Sequence, residues 1–137
     1  MSKVAIVFWS ATGNTETMAN CIAEGAGANG TLVSCAEMTP AKLAEFDVVA
    51  FGCPAMGAEQ LEESEFEPMF AALEGSLNGK KIALFGSYGW GDGQWMRDWA
   101  QRAQDDGANL ACESVICNEA PDDDALAACR ELGASLA

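Results

Sequence analysis

The apolar run Val4-Ala5-Ile6-Val7-Phe8-Trp9 stops abruptly at Ser10-Ala11-Thr12-Gly13-Asn14-Thr15, where three hydroxyls, a glycine and an amide precede a helical pattern. A continuous rather than alternating apolar run reads as a parallel strand buried on both faces. A strand that turns directly into a helix places the helix's first N–H groups at the sheet's carboxyl edge, where the dipole favours an anion. With hydroxyl donors added, such a turn can hold a phosphate without a basic residue. A nucleoside triphosphate would require G-x-x-x-x-G-K-[ST], whose lysine meets the transferring phosphate, and that pattern is missing. The same turn also fits an ordinary helix cap, with Asn14 or Thr15 satisfying amides.

The pattern that follows repeats the strand-then-helix theme. A helix is predicted over 15–25 with Met18 and Ile22 inward, ended by Gly25, Gly27 and Gly30. Strands are predicted over 31–36 and 47–53, the latter stopped by Pro54, with one or two helical turns over 40–45 between them. Phe66, Met69, Phe70, Leu73 and Leu77 mark a helix over 66–77, and a fourth strand covers 81–87. A helix over 94–106 carries Trp95, Trp99 and Arg102 near one face, and a fifth strand covers 110–117. Asp122-Asp123-Asp124 opens a last helix, where carboxylates suit the positive end, with Leu126, Cys129, Leu132 and Leu136 inward. Five strands alternating with helices predict an α/β fold, a doubly wound parallel sheet with helices on both faces. The 137 residues suffice for a single domain over 1–137. Ligands of such sheets bind at the carboxyl ends of the strands.

Composition removes several chemistries. Seven Lys and Arg stand against twenty-one Asp and Glu, a net charge of −14 that repels nucleic acid and anionic lipid and favours basic partners. With no histidine, Ser-His and Cys-His catalysis and imidazole metal ligation fall away. Six cysteines are spaced 14, 18, 59, 5 and 12 residues apart, with no C-x-x-C, which fits small buried hydrophobes better than a zinc or iron–sulfur site. No apolar run approaches a membrane span and no signal peptide is visible, so the cytoplasm is the expected compartment. Redox chemistry would belong to an organic cofactor.

Three loops follow strands and therefore share one edge of the sheet. The first is 10–15. The second, Pro54-Ala55-Met56-Gly57-Ala58-Glu59, sets a polarizable thioether, a glycine turn and a carboxylate in succession, a combination suited to the edge of a flat heterocycle as well as to core filling. The third, Ser87-Tyr88-Gly89-Trp90-Gly91-Asp92-Gly93, places large rings on a glycine backbone that can approach a ligand closely.

Together these residues resemble the flavodoxins, specifically the short-chain class. The resemblance spans essentially the whole chain and rests on Thr12-Gly13-Asn14-Thr15, Gly52-Cys53-Pro54-Ala55-Met56-Gly57, Leu61-Glu62-Glu63-Ser64 and Leu84-Phe85-Gly86-Ser87-Tyr88-Gly89-Trp90-Gly91. It implies the strand order 2-1-3-4-5 with FMN at the switch point between strands one and three, an order that is the family's own rather than one read from this sequence. By the same resemblance Ser10, Thr12, Asn14 and Thr15, with amides from Ala11 to Thr15 including Gly13, and with Ser87, bind the FMN phosphate. Met56 and Trp90 sandwich the isoalloxazine, and Pro54 and Ala55 lead into that contact. Gly57 and Ala58 lie beside N5, Glu59 accepts a hydrogen bond from the pyrimidine end, Tyr88 and Gly89 contact the ring through backbone groups, and Gly91 follows in the same loop. Ala58 departs from the Asp, Asn or Gly often found there. Glycine first and alanine second still permit a II′-like turn, so the family's peptide flip survives with an altered energy.

The implied function is a low-potential one-electron carrier, cycling FMN between quinone, semiquinone and hydroquinone, without a substrate of its own. Glu59, Glu62, Glu63, Glu65, Glu67 and Asp92 flank the proposed flavin loops. Each carboxylate, at ~10 Å and an effective dielectric constant of ~40, contributes under ~1 kcal/mol against an anionic flavin. The same rim should steer basic faces of redox partners such as a flavodoxin reductase or low-potential oxidoreductases, to a monomer. The alternative of the same fold is an FMN-dependent NAD(P)H or quinone reductase, which would need a second pocket where Trp90 stacks. A phospho-acceptor receiver domain is the other rival, but its acidic cluster after strand one is replaced by Ser10 to Thr12.

Overall fold

The computed structural model describes residues 2–11, 13–56, 60–89 and 91–137. The elements run β1 (Val4–Phe8), α1 (Asn14–Ala26), β2 (Gly30–Val33), α2 (Pro40–Leu43), β3 (Val48–Gly52), α3 (Phe66–Leu73), β4 (Lys81–Tyr88), α4 (Gln94–Asp105), β5 (Asn109–Leu110), β6 (Val115–Asn118) and α5 (Asp123–Leu136). All strand pairs among them are parallel, in the order β2-β1-β3-β4-β5, with β6 also beside β4. The implied order 2-1-3-4-5 therefore stands. β1 lies between β2 and β3 with Val4 opposite both Gly30 and Val48, and the interior strands β1, β3 and β4 are buried on both faces.

The fifth strand differs from the continuous segment over 110–117 that the apolar pattern predicts. It comes in two pieces, β5 opposite Lys81 and Ile82 and β6 opposite Phe85 to Tyr88. The break falls where exposed Cys112 and Glu113 and half-buried Ser114 interrupt the apolar run, and an edge strand can leave its neighbour there without stranding buried amides. α3 is likewise shorter than the heptad-like spacing suggests. It ends at Leu73 and tightens into a 3-10 turn over Glu74–Ser76, where Gly75 and Ser76 hold the helix poorly.

Helices cover both faces of the sheet. On one face Phe51, Phe66, Phe70 and Trp99 interlock, with Phe66 and Phe70 each edge-on to Trp99 at 5.4 and 5.8 Å. Each such fully buried side chain stabilises the fold by about 2–3 kcal/mol. Arg102 of α4 bridges to α3, with bidentate contacts at 2.7 Å to Glu67 and 2.7–3.0 Å to Glu74, and it lies over the Phe70 ring. On the other face α1 and α5 pack so closely that a Cβ on Gly25 would strike the Arg130 carbonyl, and one on Gly133 the Ile22 carbonyl. All six cysteines are free. Cys21, Cys53 and Cys129 are buried as expected, whereas Cys112 is exposed.

Candidate functional site

The carboxyl ends of β1, β3 and β4 deliver the three loops to one edge, as the parallel order requires. After β1, Gly13 takes a left-handed conformation (φ 94°), which L side chains rarely adopt, and caps α1 with no side-chain acceptor for the first-turn amides among the described residues. The Gly13 amide donates to the Ser10 hydroxyl at 3.1 Å, and the Thr17 hydroxyl donates to the Gly13 carbonyl at 2.8 Å, so the turn is braced by its own side chains. The Thr15 hydroxyl, 1% exposed, meets the Ser87 hydroxyl, 5% exposed, at 3.4 Å. Two buried hydroxyls 72 residues apart in the chain thus converge at the start of α1.

A cavity of about 500 Å³ opens over this point. It is lined by Ala11 and Asn14 from the first loop, Pro54, Ala55 and Met56 from the second, Ser87, Tyr88 and Gly89 from the third, and Glu119 and Ala120. Thr15 lies behind the lining, reaching it through Ser87, and Gly13 precedes the lining residue Asn14. Ser10 faces a second, larger hollow on the far side of β1. Gly91, with φ 89°, lies in the turn beyond Gly89. Thr12, Gly57, Ala58, Glu59 and Trp90, and with them the expected Met56–Trp90 sandwich and the Gly57–Ala58 turn, lie outside the described residues.

The 119–120 segment was absent from the sequence reading. β6 carries it to the site, and the Glu119 amide donates to the Tyr88 carbonyl at 2.7 Å, with Glu119 itself left-handed at φ 56°. The signal available was Asn118 and Pro121 bracketing a turn at the end of the last strand. The Tyr88 side chain packs on Trp95 with centroids 5.4 Å apart.

The second loop is a hairpin. The Met56 amide donates to the Gln60 carbonyl at 2.8 Å and the Gln60 amide to the Met56 carbonyl at 3.0 Å. Its outgoing leg is tied to β4 by the Ala55 amide on the Ser87 carbonyl at 3.0 Å. Its return leg runs into Glu62, which is 6% exposed and hence no part of an open acidic rim. Burial opposes the Glu62 charge, but the Ser64 hydroxyl and the amides of Phe66, Glu65 and Ser64 overcome this and hold its carboxyl down at about 2. Glu67 and Asp92 are similarly engaged, with Arg102 and with Arg97 at 2.9 Å, leaving Glu63 and Glu65 as the exposed unbridged acids of that group among the described residues.

The nearby thiols are inert. Burial, with Glu65 and Glu62 adding, pushes Cys35 up to about 11, and burial pushes Cys53 up to about 12. Neither supplies a thiolate near neutral pH.

The donor set therefore fits a phosphate ester carried on a flat, uncharged body. Asn14 and Ser87 bring polar groups to the lining, no Lys or Arg lines the cavity among the described residues, and Met56 borders it. A family model described as flavodoxin matches residues 6–133. A flavodoxin of Megasphaera elsdenii is 47% identical over 98% of both chains, and one of Clostridium beijerinckii is 44% identical over 96% of this chain and 97% of that one. The solved structure of the two-electron-reduced Megasphaera elsdenii flavodoxin superimposes with a TM-score of 0.87 at 48% identity, covering 97% of each chain. The chain belongs to the flavodoxin family.

Proposed function

We propose that the chain carries single electrons at low potential between redox proteins, on an FMN held by the three loops at the carboxyl edge of its sheet. As a flavodoxin it is an FMN-binding electron carrier. The residue roles are our reading of the site. The amides of Asn14 and Thr15, the hydroxyls of Thr15 and Ser87, and Ser10 and Thr12 beside them would hold the phosphate, with Gly13 turning the chain into α1, whose dipole favours negative charge there. Met56 and Trp90 would face the two sides of the ring, with Gly57, Ala58 and Glu59 along one edge and Tyr88, Gly89 and Gly91 along the other. Glu119 and Ala120 would close the remaining wall.

Bound FMN supplies a ring that accepts and releases electrons. The chain's own part is to hold that ring between loops and keep its surroundings negative, which disfavours added negative charge and so lowers the potential. The net charge of −14 supports docking to basic faces of redox proteins, as a monomer in the cytoplasm.

One observation carries this reading: the start of α1, with no side-chain acceptor among the described residues, meets the buried Thr15–Ser87 hydroxyl pair where Ser87 lines the cavity. Titration of the apoprotein into FMN tests it. Quenching of flavin fluorescence at one-to-one stoichiometry is expected in the wild type, with weaker binding in Thr15→Val. An unchanged dissociation constant in that variant would reject the phosphate assignment.

A further inference from the structure

Glu62 is spent on neither the cavity nor the open rim, yet few side chains in the molecule are bonded so completely. Its carboxylate accepts from the amides of Ser64 at 2.7 Å, Glu65 at 2.7 Å and Phe66 at 2.9 Å, and from the Ser64 hydroxyl. Its own amide donates to the Cys53 thiol at 3.4 Å and its carbonyl accepts from the Glu67 amide at 2.8 Å. A plain helix cap needs only the residue before the helix. Here that residue, Glu65, makes no side-chain cap bond, and the acceptor reaches across from four residues before α3. The carboxylate therefore closes the 62–66 turn as well as satisfying the helix.

That turn is the return leg of the Met56 hairpin. Cys53, which receives the Glu62 amide, is where β3 ends, and its carbonyl accepts the Trp95 indole N–H at 3.1 Å. The outgoing leg is fixed to Ser87, the return leg to Glu62, and the Met56–Gln60 pair joins the two. We propose that Glu62 is a positioning residue for the flavin ring: by anchoring the 60–66 segment to the start of α3 and to Cys53, it fixes the hairpin that presents Met56 to the cavity. This rests on the site reading above. It assigns Glu62 to the ring end of the cofactor and gives it no contact with the phosphate.

Riboflavin, which lacks the phosphate, separates the two ends. In Glu62→Ala apoprotein, with circular dichroism confirming the folded state at the assay temperature, the dissociation constants for riboflavin and FMN should both rise roughly tenfold, the loss of charge-assisted bonds expressed as affinity. Their ratio should stay at the wild-type value. Ser64→Ala, which removes one donor and spares the amides, should show the same pattern at about two- to threefold and decides the matter if Glu62→Ala does not fold. Unchanged constants in a folded variant would make Glu62 a helix cap alone, and a changed ratio would move its influence to the phosphate; either overturns the proposal. A wild-type chain that fails to bind FMN would instead remove the site reading on which it rests.

Discussion

Two helix N-termini lie near the site, and they are finished in opposite ways. α3 has its own anion: the Glu62 carboxylate sits on the amides of Ser64, Glu65 and Phe66, buried and ionised down to about pH 2. α1 is capped by Gly13 with no side-chain acceptor among the described residues, and it opens beside a cavity lined by Asn14 and by Ser87, whose hydroxyl meets that of Thr15. Both ends carry the same partial positive charge. The chain fills one permanently, which fixes a loop, and leaves the other to be completed by a ligand's phosphate, which makes a binding site.

The comparison breaks most sharply if α1 is made to resemble α3. Ser87→Asp places a carboxylate where the phosphate would lie, and like charges in contact cost several kcal/mol. FMN affinity should fall on the order of a thousandfold, while riboflavin loses far less. Comparable losses for both ligands, measured by fluorescence titration, would show that Ser87 does not face the phosphate.

The converse change empties α3. Glu62→Gln retains one good acceptor and loses the charge, at a stability cost on the order of 2 kcal/mol. The wild-type carboxyl is held down at about 2 in the folded chain by its hydrogen bonds, below its ordinary 4.5, so it is depressed by folding. Its contribution is accordingly complete above about pH 4.5, and it drains away as pH falls towards 2. Urea unfolding across that window should bring wild type and variant together on acidification. A constant gap from pH 7 to 3 would contradict the assignment.

How far the sequence announced this difference follows from what each end is made of. The α1 end was legible because its signal is contiguous: an apolar strand, a hydroxyl-rich turn and a helical pattern occupy twelve residues in a row, Val4 to Thr15. The sheet order was legible only through the family resemblance, since periodicity says nothing about which strands are neighbours. The role of Glu62 was not legible. Leu61-Glu62-Glu63-Ser64 reads as a charged surface stretch, and only the three-dimensional turn shows that one of its two adjacent glutamates is buried and the other exposed. The Glu119 loop escaped for a related reason, because its contact with Tyr88 depends on β6 rejoining β4 after the break at 111–114.

The smallest expected effect concerns the exposed neighbours on that turn. Glu63 and Glu65 are exposed, whereas Glu62 is 6% accessible, so the three test burial against charge within four residues. Glu63 accepts only a side-chain bond from Gln60 at 3.2 Å among the described contacts, and surface changes of this kind shift stability by about 0.5 kcal/mol or less. Glu63→Gln/Glu65→Gln should therefore keep the unfolding midpoint that Glu62→Gln loses. Its effect should appear in encounter: stopped-flow reduction of cytochrome c, a basic acceptor, should slow about two- to fivefold at low ionic strength. Near 1 M salt the Debye length shrinks to about 3 Å and the rates of wild type and variant should converge. A difference that persists at high salt would mean these glutamates act by contact or on the flavin itself, and the division of labour along this turn would then follow something other than solvent exposure.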